Sequence, residues 1–352
     1  MGSERRDVRG AAERRARRAW REGSGPWLRA AGALYGTATH AWSFAYEVGL
    51  LWPHQPVLPT ISIGGVTVGG SGKTPVTAEV ARMVTAAGHR PAVVTRGFPD
   101  ELGLHGRMSR GWPVIGHPDR RLAVAEAARS ADVAVLDDGF QHRRLARDLD
   151  LVLLDADVVG RVPWRLLPSG PFREPPSALG RADAIVVTRR SAGAAAGRAL
   201  ATWARRHTDV PLVARCALVP GELRRVARAA HGREPDAGAG PRVAVAGIMK
   251  PEAFLAAVRA TGLDPALEVI LPDHGALSHE LASEIVEAAR GAGVVTTGKD
   301  LARLSPALPA GLPLWCLEER LTWEEGVDEL RQRIEAVCAG RRAAPNQRRG
   351  TG

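Results

Sequence analysis

The chain has 352 residues, 45% of them hydrophobic, and a formal net charge of +10, which is material for one large or two moderate α/β domains with a real core. Its 3 cysteines, Cys216, Cys316 and Cys338, are scattered and form no CxxC pair, which argues against a disulfide framework and against a zinc site. Of 48 basic residues only Lys73, Lys250 and Lys299 are lysine, so the positive charge is almost entirely arginine, and its excess points to anionic partners.

Residues 1–24 hold Arg5, Arg6, Arg9, Arg14, Arg15, Arg17, Arg18 and Arg21. They read as a basic disordered tail, or as an arm for acidic lipid. No apolar stretch with a small-residue cleavage site follows, so no secretory signal is expected. Residues 25–52 are too polar for a spanning helix. At helical spacing, however, Trp27, Leu34 and Ala41 share a broad apolar side with Tyr35, Trp42 and Tyr46. Such an amphipathic helix either lies in a membrane interface or packs on the core.

After Pro53 and Pro56 a β-rich run from Val57 ends at Gly64-Gly65, followed by a glycine loop and a helical pattern from Pro75 to Ala87. Short buried strands are expected at 91–95, 132–138 and 150–155, with a helix at 123–130. A Pro/Gly-rich connector runs from Pro163 to Pro176. A second series follows, with strands at 184–188, 211–214, 243–246 and 294–297 and helices at 252–261 and 278–290. Strands alternating with helices imply parallel βαβ units covered on both faces. The division expected is a first α/β domain over 53–170, a second, smaller α/β domain over 171–338, and a disordered tail over 339–352.

The loop Thr67-Val68-Gly69-Gly70-Ser71-Gly72-Lys73-Thr74 carries the chemistry. It departs from the Walker pattern in having Thr67 at the first glycine position, but it sits between a strand and a helix. That context lets backbone N–H groups and the helix dipole cradle phosphate oxygens. Lys73 is then expected on the β/γ-phosphates of ATP and Thr74 on Mg²⁺. A P-loop site also needs an acid at a neighbouring strand end, and Asp137-Asp138 supplies one, with Asp138 as the expected metal ligand. Several classes share these features: a small-metabolite kinase or ATP-dependent ligase, a nucleic-acid-binding ATPase, and a membrane-surface scaffold that only binds nucleotide. No N-K-x-D guanine motif and no aromatic–basic stacking platform is found, so neither a GTPase nor a nucleic-acid partner is expected. No obligate protein partner is inferred.

Four blocks narrow the choice: Thr67 to Pro75, Thr95-Arg96-Gly97-Phe98, Asp137-Asp138-Gly139-Phe140-Gln141-His142 onward to Asp148, and Leu167 to Pro175. With Ala246-Gly247-Ile248, Pro272-Asp273-His274 and Thr296-Thr297-Gly298-Lys299-Asp300, they occur in the order seen in the tetraacyldisaccharide 4′-kinases, the lipid A 4′-kinases. The chain resembles that family over roughly residues 27–335. The resemblance implies a P-loop NTPase-like parallel sheet with helices on both faces, a second α/β domain and an N-terminal amphipathic helix on the membrane. It implies that ATP phosphorylates the 4′-hydroxyl of a tetraacylated glucosamine disaccharide 1-phosphate at the cytoplasmic face of the bacterial inner membrane. It also implies an Asp–His pair across the interdomain cleft as the catalytic base, here Asp100 and His274. Asp100 sits in Pro99-Asp100-Glu101-Leu102 where the family has G-D-E-P, and a turn acid is the alternative reading. Arg96, Arg120 and Arg173 are candidate phosphate clamps; Gln141 and His142 are candidates to orient phosphate or Asp100, and Asp137 is a candidate on the phosphate or substrate. Gly298 stands where the family commonly has Glu, and Lys250 is at a variable position.

Overall fold

The computed structural model describes residues 4–22, 25–226, 241–272 and 277–340. The chain begins with β1 (Glu4–Asp7), α1 (Ala11–Glu22) and the long helix α2 (Pro26–Glu47). Then come β2 (Thr60–Gly65), α3 (Lys73–Ala86), β3 (Pro91–Thr95), α4 (Pro99–Met108), β4 (Val114–Gly116), α5 (Arg120–Ala127) and β5 (Val133–Asp137). The middle of the chain forms β6 (Leu149–Asp155), a short 3-10 turn at Pro176–Arg181, β7 (Ala184–Arg189), α6 (Ala194–His207) and the long β8 (Leu212–Val226). The last part forms β9 (Val243–Ala246), α7 (Pro251–Ala260), β10 (Leu267–Ile270), α8 (His279–Ala289), β11 (Val294–Thr297), α9 (Leu301–Ala307), β12 (Leu314–Glu325) and α10 (Val327–Cys338).

These elements make two compact units that are not consecutive stretches of chain. The larger takes Ala16–Phe98, His105–Leu218 and the residues from Leu321 on; the smaller takes the residues up to Arg15, Pro99–Leu104 and Val219–Arg320. The Pro/Gly-rich connector after Pro163 does not leave the larger unit.

In the larger unit the strand order is β8-β7-β6-β2-β5-β3-β4, with parallel pairing from β8 through to β4. The strands are buried on both faces, which is why they read as unbroken apolar runs. On one face Ile61, Ile63, Leu149, Leu151 and Leu153 pack with Val76, Val80, Met83 and Val84 of α3 and Leu330, Ile334 and Val337 of α10. The helical residues fall at the three-to-four-residue spacing that builds one stripe. On the other face Val152, Leu154, Ile185 and Val187 meet Leu200, Ala201 and Ala204 of α6, together with Phe140 and Phe172. Burying each large aliphatic chain contributes about 1.5–3 kcal/mol.

The smaller unit repeats this plan with the order β1-β10-β9-β11-β12, again parallel. Val243, Val245, Leu267 and Val269 face α8 and α9, while Ala244, Ala246 and Ile270 face Phe254, Leu255 and Val258 of α7. Where a tail is expected over residues 1–24, the described part is ordered. β1 extends the sheet edge along β10, and Arg5 pairs with the buried Glu268 at 3.1 Å while Arg6 pairs with Glu284 at 2.8 Å. Two arginines of the basic run thus have acids opposite them on the edge. Residues 341–352 lie outside the described residues.

Helix α2 packs by an unusual face. Gly32 is its only buried residue, and a Cβ there would come within 2.6 Å of Ser169 Oγ. Tyr35 donates its hydroxyl to the Arg173 carbonyl at 3.1 Å. Arg143 donates to the Ser43 carbonyl at 2.9 Å and lies 4.9 Å over the Tyr46 ring. The inward contacts are therefore made by Gly32, the Tyr35 hydroxyl, the Ser43 carbonyl and the Tyr46 ring, while Trp27 (87% exposed), Leu34 and Phe44 point outward. Among the described residues no helix is long and apolar enough to cross a membrane. Gly32→Leu has to displace Ser169 and is expected to lower stability by about 1–3 kcal/mol. Trp27→Ser should stay within about 0.5 kcal/mol of the parent. Thermal unfolding followed by circular dichroism separates the two.

Candidate active site

The loop from Thr67 to Thr74 leaves the end of β2 and opens α3. Gly72 caps that helix at φ 88°, in the left-handed region that a side chain makes costly. A Cβ on it would also fall 2.4 Å from Leu218 Cδ1. The first turn of α3 leaves its N–H groups without helical partners, facing the loop. The loop is tied at its base: Val68 N–H donates to the Pro171 carbonyl at 2.8 Å, and Arg173 N–H to the Val66 carbonyl at 2.7 Å. Two side chains from the end of β7 and just beyond it hold its carbonyls. Thr188 donates its hydroxyl to Ser71 O at 2.8 Å, and Arg190 donates to Gly70 O. In a trans peptide the N–H opposes the C=O, so anchoring the Ser71 carbonyl turns the Gly72 N–H the other way. Thr67 Oγ1 and Ser71 Oγ are buried and make no hydrogen bond within the protein.

Asp137 closes β5 and Asp138 follows at φ 56°, a left-handed conformation that Asp tolerates better than most residues. The two acids have different neighbours. Thr74 donates its hydroxyl to Asp137 Oδ2 at 3.2 Å, His105 Nε2 lies 2.7 Å from the same oxygen, and Arg120 donates to the Asp137 carbonyl at 2.9 Å. Burial pushes the Asp137 carboxyl up, but His105 and then Lys73 outweigh it and hold it below the usual range. Its Oδ1 is buried and makes no hydrogen bond. Asp138 instead gathers cations: Lys73 at 3.6 Å, Arg96 at 3.3 Å, and Arg173, whose Nη1 reaches both carboxylate oxygens at 2.8 and 2.9 Å. Burial opposes ionisation here too, and Lys73 and Arg173 together overcome it, leaving the carboxyl far below its ordinary value.

The other expected residues sort themselves by geometry. Gln141 is committed on both amide atoms: it donates to Gly65 O at 3.0 Å and Glu174 Oε1 at 2.9 Å, and accepts from Arg173 at 3.1 Å. It is a brace between the P-loop strand and the Arg173 segment. Arg96, Arg120, Asp138 and His142 line one cavity of about 250 Å³ with Phe98 and Pro118. Asp100 lies in the first turn of α4, in the smaller unit, with Lys299 Nζ 3.6 Å from Oδ2. His274 and the neighbouring Asp273 lie outside the described residues.

Sequence reasoning missed four participants: His105, Glu174, Thr188 and Arg190. His105 belongs to a helix whose residues, Pro99-Asp100-Glu101-Leu102-Gly103-Leu104-His105-Gly106, lack apolar periodicity. Glu174 stands inside the Leu167–Pro175 block, and its partners Gln141 and Arg181, the latter at 2.7 Å, appear only in three dimensions. Thr188 could have been found as the residue closing a strand beside the P-loop strand's neighbour.

A family model described as tetraacyldisaccharide-1-P 4′-kinase matches residues 25–111 and 100–339. The chain belongs to this family. The tetraacyldisaccharide 4′-kinase of Geobacter metallireducens is 37% identical over 311 residues, covering 78% of this chain and 87% of that protein. That of an Anaeromyxobacter species is 37% identical over 348 residues, covering 89% and 91%. The crystal structure of LpxK from Aquifex aeolicus in complex with ATP has the same fold, with a TM-score of 0.64 and 22% identity over 88% of this chain and 98% of that one. The family match takes in α2, the P-loop, the acid pair and the Arg173 block together.

His142 offers a test of the site's electrostatics. Burial first, then the charges of Arg120 and Arg147, push its imidazole down from 6.5 to about 4. The unfolded chain therefore binds the extra proton more readily. Stability is full above about pH 6.5 and falls as pH drops toward 4. Denaturant unfolding across that window should show a weaker pH dependence for His142→Asn than for the parent chain.

Proposed function

We propose that this chain transfers the γ-phosphoryl group of ATP to the 4′-hydroxyl of a tetraacylated glucosamine disaccharide 1-phosphate, giving a lipid A precursor. The observation that carries the reading is the family match across residues 25–339, which includes both the P-loop and the acid pair beside it. The donor set fits nucleotide and metal. The Thr67 and Ser71 hydroxyls are buried without protein partners, beside a helix N-terminus that favours anionic oxygen. The Thr74 hydroxyl, with the unbonded Asp137 Oδ1 next to it, offers the hard oxygen ligands that Mg²⁺ takes alongside its waters. Its contact with Thr74 favours Asp137 as the nearer acid for that ion, with Asp138 behind it. Bound Mg²⁺ would neutralise charge on the phosphates.

The protein groups have separable tasks under this reading. Lys73 bridges from Asp138 to the β/γ-phosphates, a compact ammonium that can exchange one anion for another. Arg96, about half exposed beside Asp138, is available to the incoming phosphate. Arg173 and Gln141 keep the acid pair in register rather than contacting substrate. A sugar hydroxyl has to lose its proton as attack begins, and Asp100 is assigned as the group that receives it, with His274 as its partner. The outward aromatic face of α2 and the arginine-rich start support attachment to an anionic membrane surface, at the cytoplasmic face of the inner membrane, where a lipid-linked sugar is presented.

Radiolabelled ATP offered with a panel of acceptors tests the reaction. Label should pass to the acylated disaccharide 1-phosphate and not to unacylated sugars or nucleosides; the reverse pattern would sink the assignment, and no transfer at all would indicate a nucleotide-binding scaffold. Lys73→Ala should lower turnover by about 10²-fold or more, the scale of losing one preorganised charge contact. Sedimentation with vesicles containing anionic phospholipid should retain the parent chain, while a Trp27→Ser, Leu34→Ser, Phe44→Ser variant should stay in the supernatant and keep its ATP-dependent turnover on micellar substrate.

A further inference from the structure

Lysine is scarce in this chain, and one of its three lysines is spent in the P-loop. A second, Lys299, stands in the turn after β11, and its ammonium lies 3.6 Å from Asp100 Oδ2, with both side chains largely shielded from solvent (24% and 17% exposed). The turn that presents it is fixed by its neighbour. Asp300 is 1% exposed. Its Oδ2 accepts from the Thr297 hydroxyl at 2.7 Å and from the Gly247 N–H at 2.9 Å. Its Oδ1 accepts from Arg303 at 2.5 Å, and Arg303 also donates to the Pro272 carbonyl at 2.9 Å. Gly298 sits so close to α4 that a Cβ on it would come 3.0 Å from Leu104 Cδ1. The run Thr296-Thr297-Gly298-Lys299-Asp300 therefore works as a unit. Its buried acid ties three segments of the smaller unit together, its glycine lets the helix approach, and its lysine meets the acid on the first turn of that helix.

We propose that Lys299 is a positioning residue for Asp100. The reading rests on Asp100 being the group that accepts the hydroxyl proton. The ammonium beside Oδ2 restrains the carboxylate's rotation. A carboxylate otherwise rotates freely about its last torsion, and a proton acceptor is effective only when held within hydrogen-bond reach of its target. Lysine suits the task because its charge is compact. A planar guanidinium forks across both oxygens of a carboxylate and would hold Asp100 in a different orientation.

Steady-state kinetics of the full chain on acyl disaccharide 1-phosphate in detergent micelles, with ATP varied, test this in a double-mutant cycle. Lys299→Met is expected to lower kcat by about 10–100-fold, part of the roughly 10²–10⁴-fold that a positioned proton acceptor supplies, with KM for ATP unchanged. Lys299→Gln serves as a second replacement if the methionine variant does not fold. Adding either change to Asp100→Asn should lower kcat no further, and Lys299→Arg should recover only part of the loss. Parent-like kcat in Lys299→Met, an undiminished extra loss in the Asp100→Asn background, or a raised KM for ATP with kcat intact each overturns the positioning role. A parent-like kcat in Asp100→Asn overturns the reading of Asp100 itself, and the proposal with it; an impaired Asp100→Asn beside an unimpaired Lys299→Met overturns the proposal alone.

Discussion

Two adjacent carboxylates at the end of one buried strand are the constraint around which the larger unit is arranged. Asp137 and Asp138 are both shielded from water, and burying even one anion without compensation is costly. The compensation is distributed rather than shared. Asp137 is met by His105, the Thr74 hydroxyl and an arginine bond to its own carbonyl. Asp138 turns away through a left-handed backbone step and meets Lys73, Arg96 and Arg173. That separation lets two like charges persist side by side, one turned to the loop's hydroxyl and the other to its lysine. The segments that supply the countercharges come from α3, α4, α5, the end of β3 and the Pro168–Glu174 stretch, so the acid pair draws in much of the surrounding fold.

The α/β class, the parallel pairing and the helices on both faces were readable because buried parallel strands spell themselves as unbroken apolar runs. Strands β2, β3, β5, β6, β7, β9 and β11 lie within a few residues of where alternation and turn signals put them. The short edge strands β1 and β4 and the helices α4 and α9 were not readable. Each is short, and α4 contains two glycines and a proline start, so its helicity comes from packing rather than propensity. Strand β8 runs well past Ala214 to Val226, and its second half was not readable as strand because it carries Pro220-Gly221 and the charged Glu222, Arg224 and Arg225.

The site divides in the same way. Lys73, Thr74, Asp137 and Asp138 were legible from the P-loop pattern and the strand end, Arg173 only from the family-like block around it, and the structure draws all of them into one cluster. Arg120 gives one bond to the Asp137 carbonyl and lines the cavity beside Asp138. Gln141 was legible as a residue of interest but not in its task, since it spends its hydrogen bonds on the protein and braces the strand behind the loop. A sequence records that a polar residue sits near a motif; it does not record which way its amide points. His105 and Lys299 show the converse: their partners are distant in sequence, 32 residues away for His105, and no local pattern announces such a pair.

Helix α2 is held to the larger unit chiefly by directed polar contacts: the Tyr35 hydroxyl, the Ser43 carbonyl, and a glycine seated on a serine. Attachments of this kind fix rotation and axial register without asking anything of the opposite side. The inward contacts are thus sterically strict, since a single added methyl at Gly32 meets Ser169, while Trp27, Leu34 and Phe44 are exposed and carry no such constraint. Side chains on that outward face can therefore be exchanged without moving the segment ending at Arg173, and through it the carboxylates.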